Sequence, residues 1–278
     1  MSKTFKVMRG VRQGNPLSCA LFNLAIELLA CRIRNNINLK GLNIPAIERK
    51  QIINLYADDT CLFLSKEDNL DHVKEILDEW CKALGVKFNT EKTEIVPIGS
   101  WNHRARMIET RKLNQDERAP LDEKIKISRD KEAIRLLGAW IGNDTEAERP
   151  WEPVIDKIHK TLTRYRWSHP TMTERKIIIQ MVVGGYMQFL TQAQGMPTKI
   201  EEVLTKIIRN FMWEDNKSPR VTLEYLHYPH KEGGLNLLDI KARNEAIEIM
   251  WLKEYLNLSP LRLTWAKITD ITIDVAAL

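Results

Sequence analysis

Asp58 and Asp59 carry the plainest chemistry in this chain. They stand between two short apolar runs, Ile52 to Tyr56 and Cys61 to Leu64, a pattern that predicts a β-hairpin with both carboxylates at its tip. Adjacent carboxylates suit a hard divalent cation such as Mg2+, which takes oxygen ligands and keeps positions for water and phosphate. Successive strand residues point to opposite faces, so both can serve one ion only if the turn re-aims one of them. Asp58 is therefore assigned as the direct ligand and Asp59 as its partner or second ligand. The same pair also reads as an ordinary turn, which Asp favours.

Three further groups can meet an anion. In Arg9-Gly10-Val11-Arg12-Gln13-Gly14 the glycines allow close backbone approach, and Arg9, Arg12 and Gln13 offer donors to phosphate, sugar or base. Lys92, in Asn89-Thr90-Glu91-Lys92-Thr93-Glu94, can reach a phosphate as a point charge or proton donor. Lys157, Lys160 and Arg164 lie about 130° around a helix from the apolar stripe of Ile155, Ile158 and Leu162, at ~100° per residue, so one face would pack while the other meets a phosphate backbone. Each has a plainer reading: a glycine turn before a helix, a solvated turn lysine, a solvated lysine face.

These residues need elements to hold them. Phe5 to Met8 reads as a short strand. Pro16 opens a helix whose Leu17, Ala20, Leu21, Leu24, Leu28 and Cys31 recur at helical spacing. Leu70, Val73, Leu77, Trp80 and Leu84 form a second helical stripe, closed by Gly85. Val86 to Phe88 and Glu94 to Ile98 read as strands, and Trp101 to Lys131 as a surface connection without periodicity. A strand pair surrounds Leu136 to Gly142. Beyond Trp151 the pattern is helical, at 152–167, 173–195, 199–213 and 239–257. Trp151, Trp167, Trp213 and Trp251 are assigned to packing, and His227 and His230 to structure.

Composition sets the class. Of 278 residues, 44% are apolar and 28% charged, which excludes a disordered or fibrous chain. The four scattered cysteines read as reduced thiols, not a disulfide framework. The start lacks the apolar core of a signal peptide, and the uncharged stretch 177–198 carries four glutamines, too polar for a lipid-facing span. The expected setting is intracellular, nucleus or cytoplasm, with no membrane partner. The net charge of +5 is uneven: residues 1–50 hold nine basic and two acidic side chains, residues 51–100 five and ten. Such asymmetry suits an anionic polymer held beside a carboxylate site, or simply an uneven solvated surface.

Taken in order, Arg-Gly-Val-Arg-Gln-Gly-Asn-Pro-Leu-Ser (9–18), Tyr-Ala-Asp-Asp (56–59), Lys-Phe-Asn-Thr-Glu-Lys-Thr (87–93) and Leu-Gly-Ala-Trp-Ile-Gly (137–142) resemble the successive palm motifs of reverse transcriptases of the non-LTR (LINE-type) retrotransposon family. Phe211-Met212-Trp213 and Gly233-Gly234-Leu235 resemble segments of the helical region after that palm. The resemblance implies an α+β fold: a palm-like sheet with packed helices, incomplete here, over 1–145, then an all-helical thumb-like domain over 146–278. It implies an RNA-directed DNA polymerase, a nucleotidyltransferase taking RNA template, DNA primer and dNTP, with Mg2+ in a two-metal site. Asp58 and Asp59 match the second carboxylate motif and Lys92 the lysine that protonates pyrophosphate. Gln13 and Gly14, with Arg9, Gly10 and Arg12, match the loop near template and incoming nucleotide. Tyr56 and Ala57 would line the primer end, and Lys157, Lys160 and Arg164 the thumb face.

Asn15 stands where the family usually has Asp, and Cys19 where it often has Pro. The family's first metal-binding Asp lies well upstream of the glycine loop, whereas eight residues precede Arg9 here. The expectation is a chain truncated at its N-terminus and inactive alone, with an upstream polypeptide supplying the absent palm and fingers. The alternative is a non-catalytic nucleic-acid-binding remnant of such an element.

Overall fold

The computed structural model describes residues 14–45, 47, 50–214 and 219–276. They form an α+β protein of two compact units, one running to Ile127 and resuming at Lys267, the other spanning Ser128–Ala266.

The first unit begins with α1 (Pro16–Arg34). Asn15 caps it: its side chain accepts the Leu17 N–H at 2.9 Å, and Pro16 fills the first position, where the missing N–H is no loss. Asn and Asp cap equally well, so Asn15 keeps whatever capping the family's Asp provides. Asn15→Ala is expected to cost about 1 kcal/mol in urea unfolding, and Asn15→Asp nearly nothing.

The face of α1 differs from the sequence expectation. Ile26, Leu29, Ala30 and Ile33 are buried, while Leu17, Leu21, Leu24 and Leu28 are exposed. The helix is apolar on both sides, so periodicity does not choose its inner face; the neighbours that it packs against do. By length and composition α1 is the one described helix apolar enough to cross a membrane, but its inner face is spent on protein core.

Strands β1 (Ile53–Tyr56) and β2 (Asp59–Leu62) form the expected antiparallel hairpin. Its inner side, with Ile53, Leu55 and Leu62, joins Leu29, Ile33, Val73 and Ile76 in one core. The last two belong to α2 (Leu70–Leu84), capped by Asn69 and closed by Gly85 at φ 65. Asp68, fully buried between hairpin and helix, accepts backbone N–H groups from Lys40, Gly41 and Ser65.

Val86 to Phe88 are not a strand; Phe88 packs its ring 5.7 Å from Trp80. The second expected strand shrinks to β3 (Glu94–Ile95), and its partner is the distant, parallel β4 (Lys126–Ile127). The stretch 101–131 is also no bare surface connection: it contains α3 (Trp101–Thr110) and buries Met107, Leu113 and Leu121. Polar groups organise it. The Arg111 guanidinium donates to the carbonyls of Leu121, Asp122 and Ile125. Buried Glu117 accepts the N–H groups of Leu70 and Leu113 at 3.0 and 3.1 Å.

In the second unit, β5 (Ile134–Leu136) and β6 (Ala139–Ile141) form a hairpin. Its turn residues Leu137 and Gly138 both have positive φ, as a type I′ turn requires, and a Cβ on Gly138 would meet the Phe189 ring at 2.9 Å. Helices α4 (Glu152–Arg166), α5 (Met172–Ile179), α6 (Gly185–Gln194) and α7 (Thr198–Met212) follow. Gln180–Gly184 joins α5 to α6 as a π-helical segment. Gln194 pairs with the exposed edge of β6, accepting from Trp140 N and donating to Trp140 O. The short α8 (Leu223–His227) and the long α9 (Ile240–Tyr255) complete the core around Trp151, Ile158, Leu204 and Phe211. A last helix, α10 (Thr264–Ala276), lies where the sequence pattern gave no helix.

A capping box opens α5: Thr171 and Glu174 bond reciprocally, which holds the Glu174 carboxyl below its usual range. A depressed folded-state pKa gives stability that is present above the unfolded value near about 4.3 and lost as pH falls through the folded one. Glu174→Gln is thus expected to lower the melting temperature slightly at neutral pH, where the carboxylate's contribution is present, and to converge on the unmodified chain well below about pH 4.3, so that the acid limb is flattened.

The Gly233-Gly234-Leu235 segment is a backbone crossing. A Cβ on Gly234 would lie 2.1 Å from the Tyr228 carbonyl oxygen and 2.8 Å from that of Tyr225. Backbone cannot yield as a side chain does, so Gly234→Ala is expected to cost about 2–3 kcal/mol in denaturant titration. His227 and His230 lie beside this crossing, each with Nδ1 3.2 Å from a carbonyl, of Leu237 and Gly234 respectively, in the structural roles expected.

Candidate active site and nucleic-acid face

The hairpin register decides where the carboxylates go. Tyr56 pairs with Asp59, and Leu55 with Thr60. Asn54, Tyr56, Asp59 and Cys61 therefore share the outer face, while Ile53, Leu55, Thr60 and Leu62 face the core. Ala57 and Asp58 form a two-residue turn, with Ala57 at φ 51. A left-handed alanine at the tip is a small local strain, held by four paired residues on each side. Tyr56, Ala57, Asp58 and Asp59 are all exposed. Among the described residues neither carboxylate has a hydrogen bond or an ion pair, and no group of three potential metal ligands occurs.

That arrangement fits part of a Mg2+ site. Hard oxygen donors, open to solvent and uncommitted to protein partners, stand on consecutive residues, one in the turn and one in the strand. On the same face, two residues beyond Asp59, burial pushes the Cys61 thiol up.

Of the other assigned residues, Gly14 has φ 86, and no atom of the described residues lies within 4 Å of where its Cβ would stand, a conformation that suits close backbone approach to a ligand. Arg9, Gly10, Arg12 and Gln13 lie outside the described residues. Lys92 ends a short 3₁₀ turn (Thr90–Lys92) capped by Asn89 and is exposed. No hydrogen bond or ion pair joins it to Asp58 or Asp59.

In the second unit, α4 buries Ile158 and Leu162 and turns Lys157, Lys160 and Arg164 to solvent. These three, with Pro153, Asp156 and Tyr186, line a shallow groove of about 470 Å³. The Lys157 ammonium sits over the Tyr186 ring, 4.2 Å from its centroid. Lys160 and Arg164 have no protein partner among the described residues. Tyr186, on α6, was not legible as part of this face because only packing brings it there.

Two sequence readings change here. The four described basic residues of 1–50 have partners within the fold: Arg32 pairs with Glu79, Arg34 with Glu27 and Lys40 with Glu67, and Lys50 donates to the Asn36 and Leu39 carbonyls. The ion pair holds Lys40 above and Glu67 below their ordinary values. Two of the acidic partners, Glu67 and Glu79, come from the excess in residues 51–100, so that part of the asymmetry is self-neutralising. The tryptophans also divide. Trp151 is buried and Trp213 packs against the core, but Trp167 is 82% exposed. Trp251 is partly exposed, edge-on to Trp265 at 5.0 Å, and donates to the Gln192 carbonyl.

The model of the family "Reverse transcriptase (RNA-dependent DNA polymerase)" matches residues 1–141, just over half of the chain. The chain belongs to the reverse transcriptase family. It is similar to the Transposon TX1 uncharacterized 149 kDa protein of Xenopus laevis, 25% identical over 261 residues that cover 91% of this chain. The two matches agree with the order of its motifs: this is a reverse transcriptase region of the non-LTR retrotransposon kind. The chain spans 18% of that relative's length.

Proposed function

We propose that this chain is the palm-and-thumb portion of an RNA-directed DNA polymerase, acting on an RNA template, a DNA primer and dNTPs with Mg2+. The observation that carries the reading is the hairpin tip: Asp58 and Asp59 side by side, exposed and unpaired, within the family's Tyr-Ala-Asp-Asp motif.

Asp58 and Asp59 would hold the divalent cation, and when bound a metal pair activates the primer 3′-oxygen and stabilises departing pyrophosphate. The chain's own residues prepare that step. The hairpin fixes the two carboxylates through its ladder and its packed inner face. Tyr56, cross-strand from Asp59, offers an exposed ring where the primer end would rest, with Ala57 beside it. Gly14, with Arg9, Gly10, Arg12 and Gln13, would approach template and nucleotide, and Lys92 would supply a proton to pyrophosphate. Lys157, Lys160 and Arg164 would hold phosphates as sequence-independent contacts. By motif order the palm portion is 1–145 and the thumb 146–278; the compact units divide by packing and are a different partition.

A two-metal centre takes a further carboxylate, which in this family lies upstream of the glycine loop. Primer extension on an RNA template is therefore expected when a polypeptide carrying that upstream segment is supplied, and Asp58→Ala is expected to abolish it. Extension that survives Asp58→Ala and Asp59→Ala together would overturn the assignment.

A further inference from the structure

Trp167 is out of place for a residue of its kind. It is 82% exposed, and among the described residues its indole has no ring contact and no hydrogen bond. Its position is not arbitrary. Lys157, Lys160, Arg164 and Trp167 are spaced three, four and three residues apart, so at ~100° per residue they fall within about 80° of one another. Trp167 still has helical dihedrals, φ −64 and ψ −20, as the residue that ends α4. The row thus runs about 15 Å along the helix, at 1.5 Å per residue, from Lys157 to the indole.

The platform is also fixed. Arg166, the residue before it, donates to the Asn210 carbonyl at 3.3 Å. The turn after it is fastened by Arg175, which donates to the Pro170 carbonyl at 2.9 Å, and by the capping box at Thr171. Pro170 is buried. An aromatic ring held on a rigid helix end loses little freedom when a flat ligand stacks on it.

We propose that Trp167 is a base-stacking platform and that the outer face of α4 takes a single-stranded stretch of nucleic acid. The three cations follow its phosphates, and the indole stacks on an unpaired base at the end of the row. This deepens the proposed nucleic-acid contact of α4 and rests on it. Cations in line match a polyanion, and a naked indole at their end matches a ligand that is flat as well as anionic. A fully paired duplex hides its base faces; a single strand offers one at each nucleotide. An acidic protein segment would satisfy the cations and leave the indole unused.

The test measures the affinity of the full chain for a short labelled oligouridylate, the matching oligothymidylate, and an abasic strand of the same length. Trp167→Ala is expected to weaken both base-bearing strands roughly tenfold or more, with Trp167→Phe restoring most of the loss. The abasic strand should be unaffected, and so should the salt dependence. Lys160→Ala and Arg164→Ala should weaken all three strands, each lowering the salt slope by about 0.7. Trp167→Ala that leaves the base-bearing strands unchanged, or weakens the abasic strand equally, overturns the stacking role while the cationic contact stands. Oligoglutamate competing as well as the oligonucleotides reassigns the face to an acidic protein and overturns it too. Absence of salt-dependent binding by the unmodified chain overturns the whole nucleic-acid reading of α4.

Discussion

Asp68→Ala is expected to destabilise the first unit by about 3–5 kcal/mol in urea unfolding, because three backbone N–H groups lose one carboxylate. Asp68 is fully buried and accepts from Gly41 at 2.9 Å, from Ser65 at 2.7 Å and from Lys40. Those donors belong to the segment after α1 and the turn after β2, so the carboxylate fastens two loops flanking the hairpin. Lys40 and Glu67 pair on the outside of the same junction, but both are exposed, and such pairs contribute little. Asp68→Asn should lose roughly half as much, since its amide keeps one acceptor oxygen and turns donors toward the other N–H groups. Equal stability of Asp68→Ala and the unmodified chain would show that the loops are held by something else.

The second large effect is on chemistry. In a polypeptide that extends primers, Asp58→Ala or Asp59→Ala is expected to lower the rate at least about 10³-fold, since a bound metal supplies several kcal/mol to the transition state. Stability should move by less than about 0.5 kcal/mol, because both side chains are exposed and make no contact that folding needs. The dissociation is diagnostic: Asp68 governs folding and the pair ten residues earlier governs turnover. A turnover loss matched by a loss of fold would assign Asp58 and Asp59 to structure.

Much of this could be read from residue order alone. The hairpin follows from two apolar runs around Asp58-Asp59, α2 from its stripe and Gly85, and α4 to α7 and α9 from the helical pattern beyond Trp151, whereas α8 and α10 were not read. The features that escaped share a cause: tertiary partners decided them. Nothing in the sequence of α1 prefers Ile26, Leu29 and Ile33 over Leu17, Leu21 and Leu24 as its inner face. The region 101–131 is ordered by Arg111 reaching carbonyls and by buried Glu117 reaching N–H groups, neither of which has a period. Strands of two residues, such as β3 and β4, leave no pattern at all. The charge arithmetic showed an excess of cations in residues 1–50 but not that Glu67 and Glu79 absorb part of it. At the candidate site, the carboxylates and the cations of α4 were legible, since spacing alone places them. Tyr186 and the exposure of Trp167 were not, because the first depends on which helix packs beside α4 and the second on what does not.

The claim on which all else rests is that the tip of the β1–β2 hairpin holds the catalytic cation. Iron(II) replacing Mg2+ in the presence of primer, RNA template and dNTP, followed by peroxide, cuts the backbone beside the bound ion. The prediction is cleavage concentrated between Tyr56 and Thr60 that is lost on mixing in excess Mg2+ and absent in Asp58→Asn,Asp59→Asn. Cleavage centred elsewhere, or unchanged by the two substitutions, would contradict it.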